Sequence, residues 1–475
     1  ILAQAMTVNL PPRAGDTGSL AEQLVAKPAK RCNGDAATVR SWLECCRHWG
    51  PLFSAVLLFN SVFCATHFVL EPTLRSWVFC AEAEGSTAAS FSGSARCGDQ
   101  RFVVQRAARE AGMLQALEGF LGLLAVPVLG ALGDRRGRIP VLRGCMVGYA
   151  LSLAVISVSG GNRALLLGAF AVRGLTGGFA ATFHAILGDR GGDRSLSFAV
   201  KTLVALAGQA FGWAASVWTL QLDLLDYTQV WCAMLGVFLL GCMAGARIPE
   251  SLQEVPRPAA CLSIIAEPLG LLRDPFLRLY FAAQCTLLLG VVVFFLLRSF
   301  VLVAFEWQQG RFELLLGLVG ALGCVSVACA PLLARRWTKE GVVLRSSLLG
   351  AIAVTLLCFA PLGSGFCVAS VLVGSLGFGG VAASASLLAD RYPQDQGKVQ
   401  ALGLAVTKAA GSLGHLLYSW LFQAQAVGIS QARPFFVAAV LGWLGYGSLV
   451  VALRRPQPTA EGPTRPPPLW GKLPP

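Results

Sequence analysis

Residues 130–142 read Gly130-Ala131-Leu132-Gly133-Asp134-Arg135-Arg136-Gly137-Arg138-Ile139-Pro140-Val141-Leu142. The charged centre is short, and a long apolar run lies on either side of it, over about 111–133 and about 139–158. A bilayer-spanning helix needs about twenty apolar residues, and each flank supplies them. Gly137 permits a tight turn. Gly130 and Gly133 let a neighbouring helix approach. Asp134 can accept from the exposed amides at a helix start or pair with an arginine. The stretch therefore predicts two antiparallel membrane helices joined by a basic turn.

The same pattern continues outward. Apolar runs cover Gly50–Leu70, Ala111–Gly133, Ile139–Val158, Ala164–Leu187, Leu196–Leu220 and Gln229–Ala246. A loop follows with Pro249, Pro256, Pro258, Pro268 and Pro275, a spacing that breaks any continuous helix. Six more runs cover Phe276–Phe300, Phe312–Leu333, Val342–Phe359, Gly365–Leu388, Val399–Phe422 and Phe435–Leu453. The expectation is an all-α membrane protein of twelve transmembrane helices. Its parts are a segment 1–49, a six-helix half 50–247, a linker 248–275, a six-helix half 276–453 and a disordered Pro-rich tail 454–475.

Composition agrees. Only 13% of the 475 residues are charged and 55% are hydrophobic, against about 25% charged in a soluble domain. A net charge of +13 raises the question of nucleic acid. The basic residues sit in patches between helices rather than on one solvated face, which argues against that partner. The fifteen cysteines form no CxxC pair and no His/Cys cluster, so neither a metal nor a cofactor is expected. Cys80 and Cys97 share one polar loop, and a disulfide between them requires that loop to face an oxidising space. Residues 1–49 hold no signal-peptide apolar core. The chain opens on Ile1 rather than Met, which fits a processed or partial chain.

Lys and Arg in short loops orient the helices. Arg135, Arg136, Arg138 and Arg143, then Arg190 and Arg194, then Arg335, Arg336, Lys339 and Arg345 all lie on the side of the chain termini. The opposite short loops carry Arg163, Arg311 and Arg433. Both termini are expected in the cytoplasm of a plasma or organelle membrane. The first opposite loop breaks the pattern, but it is long and also acidic.

The chain also repeats itself at an offset near 200 residues. Arg135-Arg136 recurs as Arg335-Arg336, Gly174 and Gly177 as Gly374 and Gly377, and 185–190 (AILGDR) as 386–391 (SLLADR). Chance rarely holds one offset across three sites, so two pseudo-symmetric six-helix halves are expected.

The 130–138 segment resembles the signature loop of the major facilitator superfamily: Gly, two residues, a small residue, Asp-Arg, one residue, Gly-Arg. Arg173-Gly174-Leu175-Thr176-Gly177-Gly178 resembles the family's fourth-helix motif. Asp189 and Arg194, and the stretch 389–400, resemble loops of the tetracycline/proton antiporter-like branch, which includes hippocampus-abundant-transcript-like and folate-transporter-like proteins. The fifth helix departs from that branch: Gly208-Gln209-Ala210-Phe211-Gly212 lacks the antiporters' Gly-Pro pair. In the second half, Ala334 stands where Asp134 would repeat.

The resemblance implies a secondary transporter of a small organic solute that works by alternating access and is coupled to protons. Asp134, Arg135, Arg136 and Arg138 would form a cytoplasmic latch against Asp189 and its neighbours, with Arg194 close by. Gly174, Gly177, Gly178, Gly208 and Gly212 are expected at helix contacts. No P-loop is present, so the energy must come from a gradient. No nucleophile–base or metal constellation suggests an enzyme. Facilitated uniport, and a non-transporting receptor or scaffold on the same fold, are the competing readings.

Ionisable residues inside a span are functional candidates by default. Arg173 and Lys408 fall near the midplane, Glu118 lies in the outer part of the second helix, and Asn60 and Gln284 occupy matching positions in the two halves. Arg173 either forms a structural pair with Glu118 or, as the resemblance implies, serves proton coupling or substrate binding. Two cations against one evident carboxylate suggest an anionic or zwitterionic solute. His67 and Arg298 read as interfacial, Lys201 as reaching back to the membrane surface, and His184 as a helix-packing residue.

Overall fold

The computed structural model describes residues 35–71, 78–80, 100–189, 194–221, 227–251, 267–305, 307, 309–422, 430 and 432–454. Ile1–Trp49 and Gly50–Pro475 are separate compact units, and the helical bundle is built from the second. No strand occurs among the described residues. The tail from 455 on, most of the first polar loop with Cys97, and linker residues 252–266 fall outside them.

The first half contains α1 (Asp35–Cys64, continued by a π-helical turn Ala65–Leu70), α2 (Gln100–Arg136) and α3 (Arg138–Val158). It continues with α4 (Arg163–Leu175, resumed at Phe179–Asp189), α5 (Arg194–Gln221) and α6 (Tyr227–Ala246). The second half opens with α7, which runs from Pro275–Val291 through a 3-10 turn Val292–Leu296 to Leu297–Ala304. Thr338, at φ 66°, divides the continuous stretch Gln309–Cys358 into α8 (309–337) and α9 (339–358). Then come α10 (Ser364–Ser375, Leu376–Phe378 and Gly379–Arg391), α11 (Gln396–Leu421) and α12 (Arg433–Arg454).

Among the described residues, ten helices are long and apolar enough to cross a bilayer, one of them being the fused Leu314–Cys358. α11 is equally long, at 26 residues, but Lys398, Lys408, His415 and two glutamines lower its apolarity. The structure is thus the expected all-α bundle. Two boundaries are corrected: α1 begins at Asp35 rather than Gly50, about four turns earlier, and α2 at Gln100 rather than Ala111, about three turns earlier. Apolarity marks where a helix is in lipid, and the polar extension of α2 is held separately, by Glu110 pairing with Arg163 at 2.9 Å.

Local sequence explains several helix starts. Asn162 accepts from the amides of Ala164 (2.9 Å) and Leu165 (3.4 Å) and so caps α4. Asp274 accepts from Phe276 N at 2.8 Å, with Pro275 in the first turn of α7. Gly137 has φ +99° in the α2–α3 turn, a conformation open to glycine.

The halves meet along α2 and α11. Gly112 faces Ser419, Gly119 faces Ser412, and Gly130 faces Gly397 and Ala401, so only small side chains lie between these backbones. α5 lies equally close to α1, Gly208 over Leu57 and Gly212 over Ser61. Each half carries its own aromatic packing: Phe59 and Tyr149 stack on Phe238 at 4.7 and 4.8 Å, and Phe300 meets Phe435 edge-on at 5.0 Å.

Candidate functional site

Glu118 is the centre of a buried charge cluster formed by four helices. Its Oε2 accepts from Arg173 Nε of α4 at 2.7 Å, and its Oε1 from Lys408 Nζ of α11 at 2.7 Å. His67, in the π-helical turn of α1, places Nε2 3.1 Å from the same Oε2. Arg173 turns its Nη2 to Glu71 Oε1 at 2.8 Å. Gln115 closes the group, donating to Glu71 Oε2 (3.2 Å) and to the His67 carbonyl (3.3 Å).

Burial sets the energetics. The Arg173 side chain is fully buried and those of Glu71 and Glu118 are 5% exposed, whereas Lys408 keeps 20%. Isolated ions in such a place are very costly, so mutual compensation is required. The Arg173 guanidinium also lies 4.0 Å over the Phe170 ring, which adds a cation–π contact. Gly174 allows this arrangement, because any Cβ there would run into the Glu118 backbone.

Two of the expectations from sequence change. Glu71 is a second carboxylate, so two cations face two anions and there is no surplus positive charge to select an anionic solute. His67 is inside the cluster, not interfacial. The π-helical turn forms the last part of the apolar run of α1, with Glu71 just after it, and α2 extends beside it. Such turns are frequent at functional positions, but no residue pattern announced this one.

Other candidates lie elsewhere. Asn60 donates to Val56 O at 2.7 Å and meets Gln209 of α5 at 3.5 Å. Gln284 lies beside the Tyr280 hydroxyl, which bonds Ser384 at 2.6 Å. Neither joins Glu118. Lys201 does not reach back to the surface; its Nζ lies 2.9 Å from Nε2 of His184, which packs on Phe198. Cys80 is disulfide-bonded, and Cys97 lies outside the described residues.

A second polar site occupies the face that carries the basic turns. Asp134 accepts from the amides of Gly397 (3.2 Å) and Lys398 (3.0 Å) at the start of α11 and pairs with Arg138. Arg138 Nε also reaches Asp189 Oδ2 at 3.1 Å, and Ser251 donates to that oxygen at 2.9 Å. Glu250 accepts from the Arg138 and Ile139 amides, both at 3.0 Å. Arg135 pairs instead with Glu267, and Arg136 is exposed. A Cβ at Gly133 would meet the Arg138 side chain at the start of α3, its guanidinium first, at 3.5 Å. A Cβ at Gly177 would meet chiefly the carbonyls of its own helix, Arg173 O at 3.2 Å first, whereas Gly178 packs on Leu129.

The second half repeats part of this. Lys339 pairs with Asp390 across the same 51-residue separation as Arg138 and Asp189. Arg194 then crosses between halves, donating to Ala389 O at 3.1 Å and Asp390 Oδ1 at 3.4 Å. The second-half copy keeps its ties despite Ala334, because Asp390 takes both cations.

The sequence model of the Major Facilitator Superfamily matches residues 104–415, from α2 into α11. The chain belongs to this superfamily. It is a multi-pass membrane protein and a secondary transporter, not an enzyme. The tetracycline resistance protein, class D, of Salmonella ordonez is 26% identical over 365 residues, 74% of this chain and 88% of that protein. The class C protein of Escherichia coli is 27% identical over 330 residues, 66% and 80% respectively. These relatives lie in the tetracycline-antiporter-like branch. Among solved structures, the human organic anion transporter MFSD10 (TETRAN) aligns with TM-score 0.66 at 20% identity, over 85% of this chain and 99% of that one. A bacterial homologue of the iron transporter ferroportin, in an outward-facing state, aligns with TM-score 0.62 at 16% identity, over 86% and 99%. These structural likenesses concern the fold.

Proposed function

We propose that this transporter moves a small organic solute by alternating access, driven by a proton gradient, with both chain ends in the cytoplasm. The observation that carries the reading is the Glu118–Lys408 ion pair, which joins α2 of one half to α11 of the other deep in the bundle. A proton reaching Glu118 would cancel the charge that holds Lys408, loosening one half from the other. The tetracycline resistance relatives support coupling of this kind, as the branch is one of proton antiporters.

On the cytoplasmic face, Asp134, Arg138 and Asp189 with the start of α11, and Arg194 with Asp390, would be the contacts that break and reform as the halves rock. Arg194 and Asp390 are partly exposed, so exchanging their contact for hydration costs little, whereas Arg138 is buried and needs new partners or water as its contacts open. Gly112, Gly119 and Gly130 give α2 a smooth surface against α11, on which one helix can tilt over the other. The balanced charge of the central cluster leaves the solute's own charge open within the class of small organic molecules.

The test is flux in proteoliposomes of the purified chain. A panel of labelled organic anions, zwitterions and tetracycline is offered with and without a pH gradient. Uptake or extrusion of at least one member should rise severalfold with the gradient and collapse with a protonophore. Flux indifferent to the gradient would make the protein a uniporter. A folded protein that passes no member of the panel would support the receptor or scaffold reading.

A further inference from the structure

The two ring nitrogens of His67 each face an oxygen acceptor, and a neutral imidazole carries one hydrogen. His67 Nδ1 lies 3.0 Å from the carbonyl oxygen of Phe63, one helical turn before it. A carbonyl oxygen only accepts, so Nδ1 carries a hydrogen. Thr66 Oγ1, 3.1 Å from Nδ1, is compatible with this, because its own hydrogen goes to the same carbonyl at 3.2 Å. In a neutral imidazole with Nδ1 protonated, Nε2 is a bare acceptor. Nε2 nevertheless faces Glu118 Oε2 at 3.1 Å. Two lone pairs do not meet at that distance in a buried site. One proton must sit between them, either on the imidazole or on the carboxyl.

We infer that the coupling proton is bound between His67 Nε2 and Glu118 Oε2, and that His67 is the relay through which Glu118 gains and loses it. This rests on the proton-coupled reading above and names its binding site. No bond other than N–H or O–H is made or broken: the proton moves from Nε2 to Oε2 or back, and charge moves with it.

The surroundings make that proton consequential. Arg173 and Lys408 hold the other lone pairs of Glu118, and Glu71 holds the far side of Arg173. Without the shared proton the cluster is electrically balanced; with it, one positive charge is left over among buried groups. From α11, His415 also faces this region, with His67, Glu118 and Lys408 as its charged neighbours. It packs on Phe295 of α7 at 4.3 Å, and its buried Nδ1 has no hydrogen-bond partner among the described residues. Tyr149 of α3 lies under Arg173, 5.8 Å from the guanidinium. Among the described residues, the titratable and charged groups that face His67 are therefore Glu71, Glu118, Tyr149, Arg173, Lys408 and His415.

The chain has four histidines, so ¹⁵N-histidine NMR of the full protein in lipid nanodiscs, assigned with single His→Gln variants, reads the site directly. His67 should show Nδ1 protonated at every pH, and Nε2 should show a proton-sharing signal that grows as pH falls. In Glu118→Gln the side-chain amide can donate to Nε2 in place of the shared proton, and the Nε2 protonation step should vanish. A neutral His67 carrying its hydrogen on Nε2 overturns the proposal, and so does an Nε2 step that ignores Glu118→Gln. The tautomer is read on the unmutated chain, so a variant that fails to fold leaves the test decisive. Flux indifferent to a pH gradient would instead overturn proton coupling and leave the NMR result standing, so the two failures are distinguishable.

Discussion

Lys408 Nζ lies 2.7 Å from Glu118 Oε1, and this contact joins the two six-helix halves at a buried carboxylate. The two partners are not equivalent. Glu118 keeps Arg173 and His67 when Lys408 is lost, whereas Lys408 has no second carboxylate partner among the described residues when Glu118 is lost.

A double-mutant cycle should expose that asymmetry. Glu118→Gln strands buried cations and should cost about 3 kcal/mol or more. Lys408→Met should cost clearly less. The double variant should recover about 1–3 kcal/mol relative to the sum of the singles. Denaturant unfolding in detergent measures all four corners, and strictly additive losses would mean that the pair contributes nothing.

Helix approach gives a cleaner contrast. A Cβ at Gly212 would collide with the Ser61 backbone, whereas one at Gly236 meets nothing within 4 Å. Gly212→Ala should destabilise by about 1–3 kcal/mol through overpacking. Gly236→Ala should stay within about 0.5 kcal/mol of the unmutated chain. Thermal unfolding of the two variants side by side checks this, and equal melting temperatures would contradict the close α1–α5 contact.

Much of this was legible in the sequence. Helix number follows from apolar run length, and the turn around Asp134 from a local motif. Arg173, Lys408 and Glu118 stood out because charge in an apolar run is rare. Glu71 and His67 did not stand out, because His67 sits in the last turn of the run and Glu71 just past it, and the early start of α2 extends the helical layer around them. The α2–α11 seam did leave a signal: Gly112 and Gly119 are seven residues apart, as are Ser412 and Ser419. That spacing puts small residues on one stripe of each helix, but a stripe does not say which helix it meets.

Asp134 tests the basic face. Its carboxylate receives the first amides of α11 and Arg138 together. Asp134→Asn keeps the shape but removes the charge that complements the helix start. Solute turnover should fall several-fold while solute binding changes less than about twofold, since each step of 1.4 kcal/mol is tenfold. Parallel flux and equilibrium-binding measurements decide it, and a loss confined to binding would contradict a latch.

Arg173 is the strictest position. It spans two carboxylates with different nitrogens, Nε to Glu118 and Nη2 to Glu71. A lysine has a single ammonium and cannot copy that fork. Arg173→Lys should therefore leave one buried carboxylate unpaired and cost about 3 kcal/mol or more. If the unpaired group is the problem, adding Glu71→Gln should restore part of the loss, because the remaining lysine then faces Glu118 alone. Melting temperatures of the single and double variants test the argument. Full stability in Arg173→Lys would show that a point charge suffices, and failure of Glu71→Gln to rescue would place the damage in lost packing over Phe170 rather than in charge.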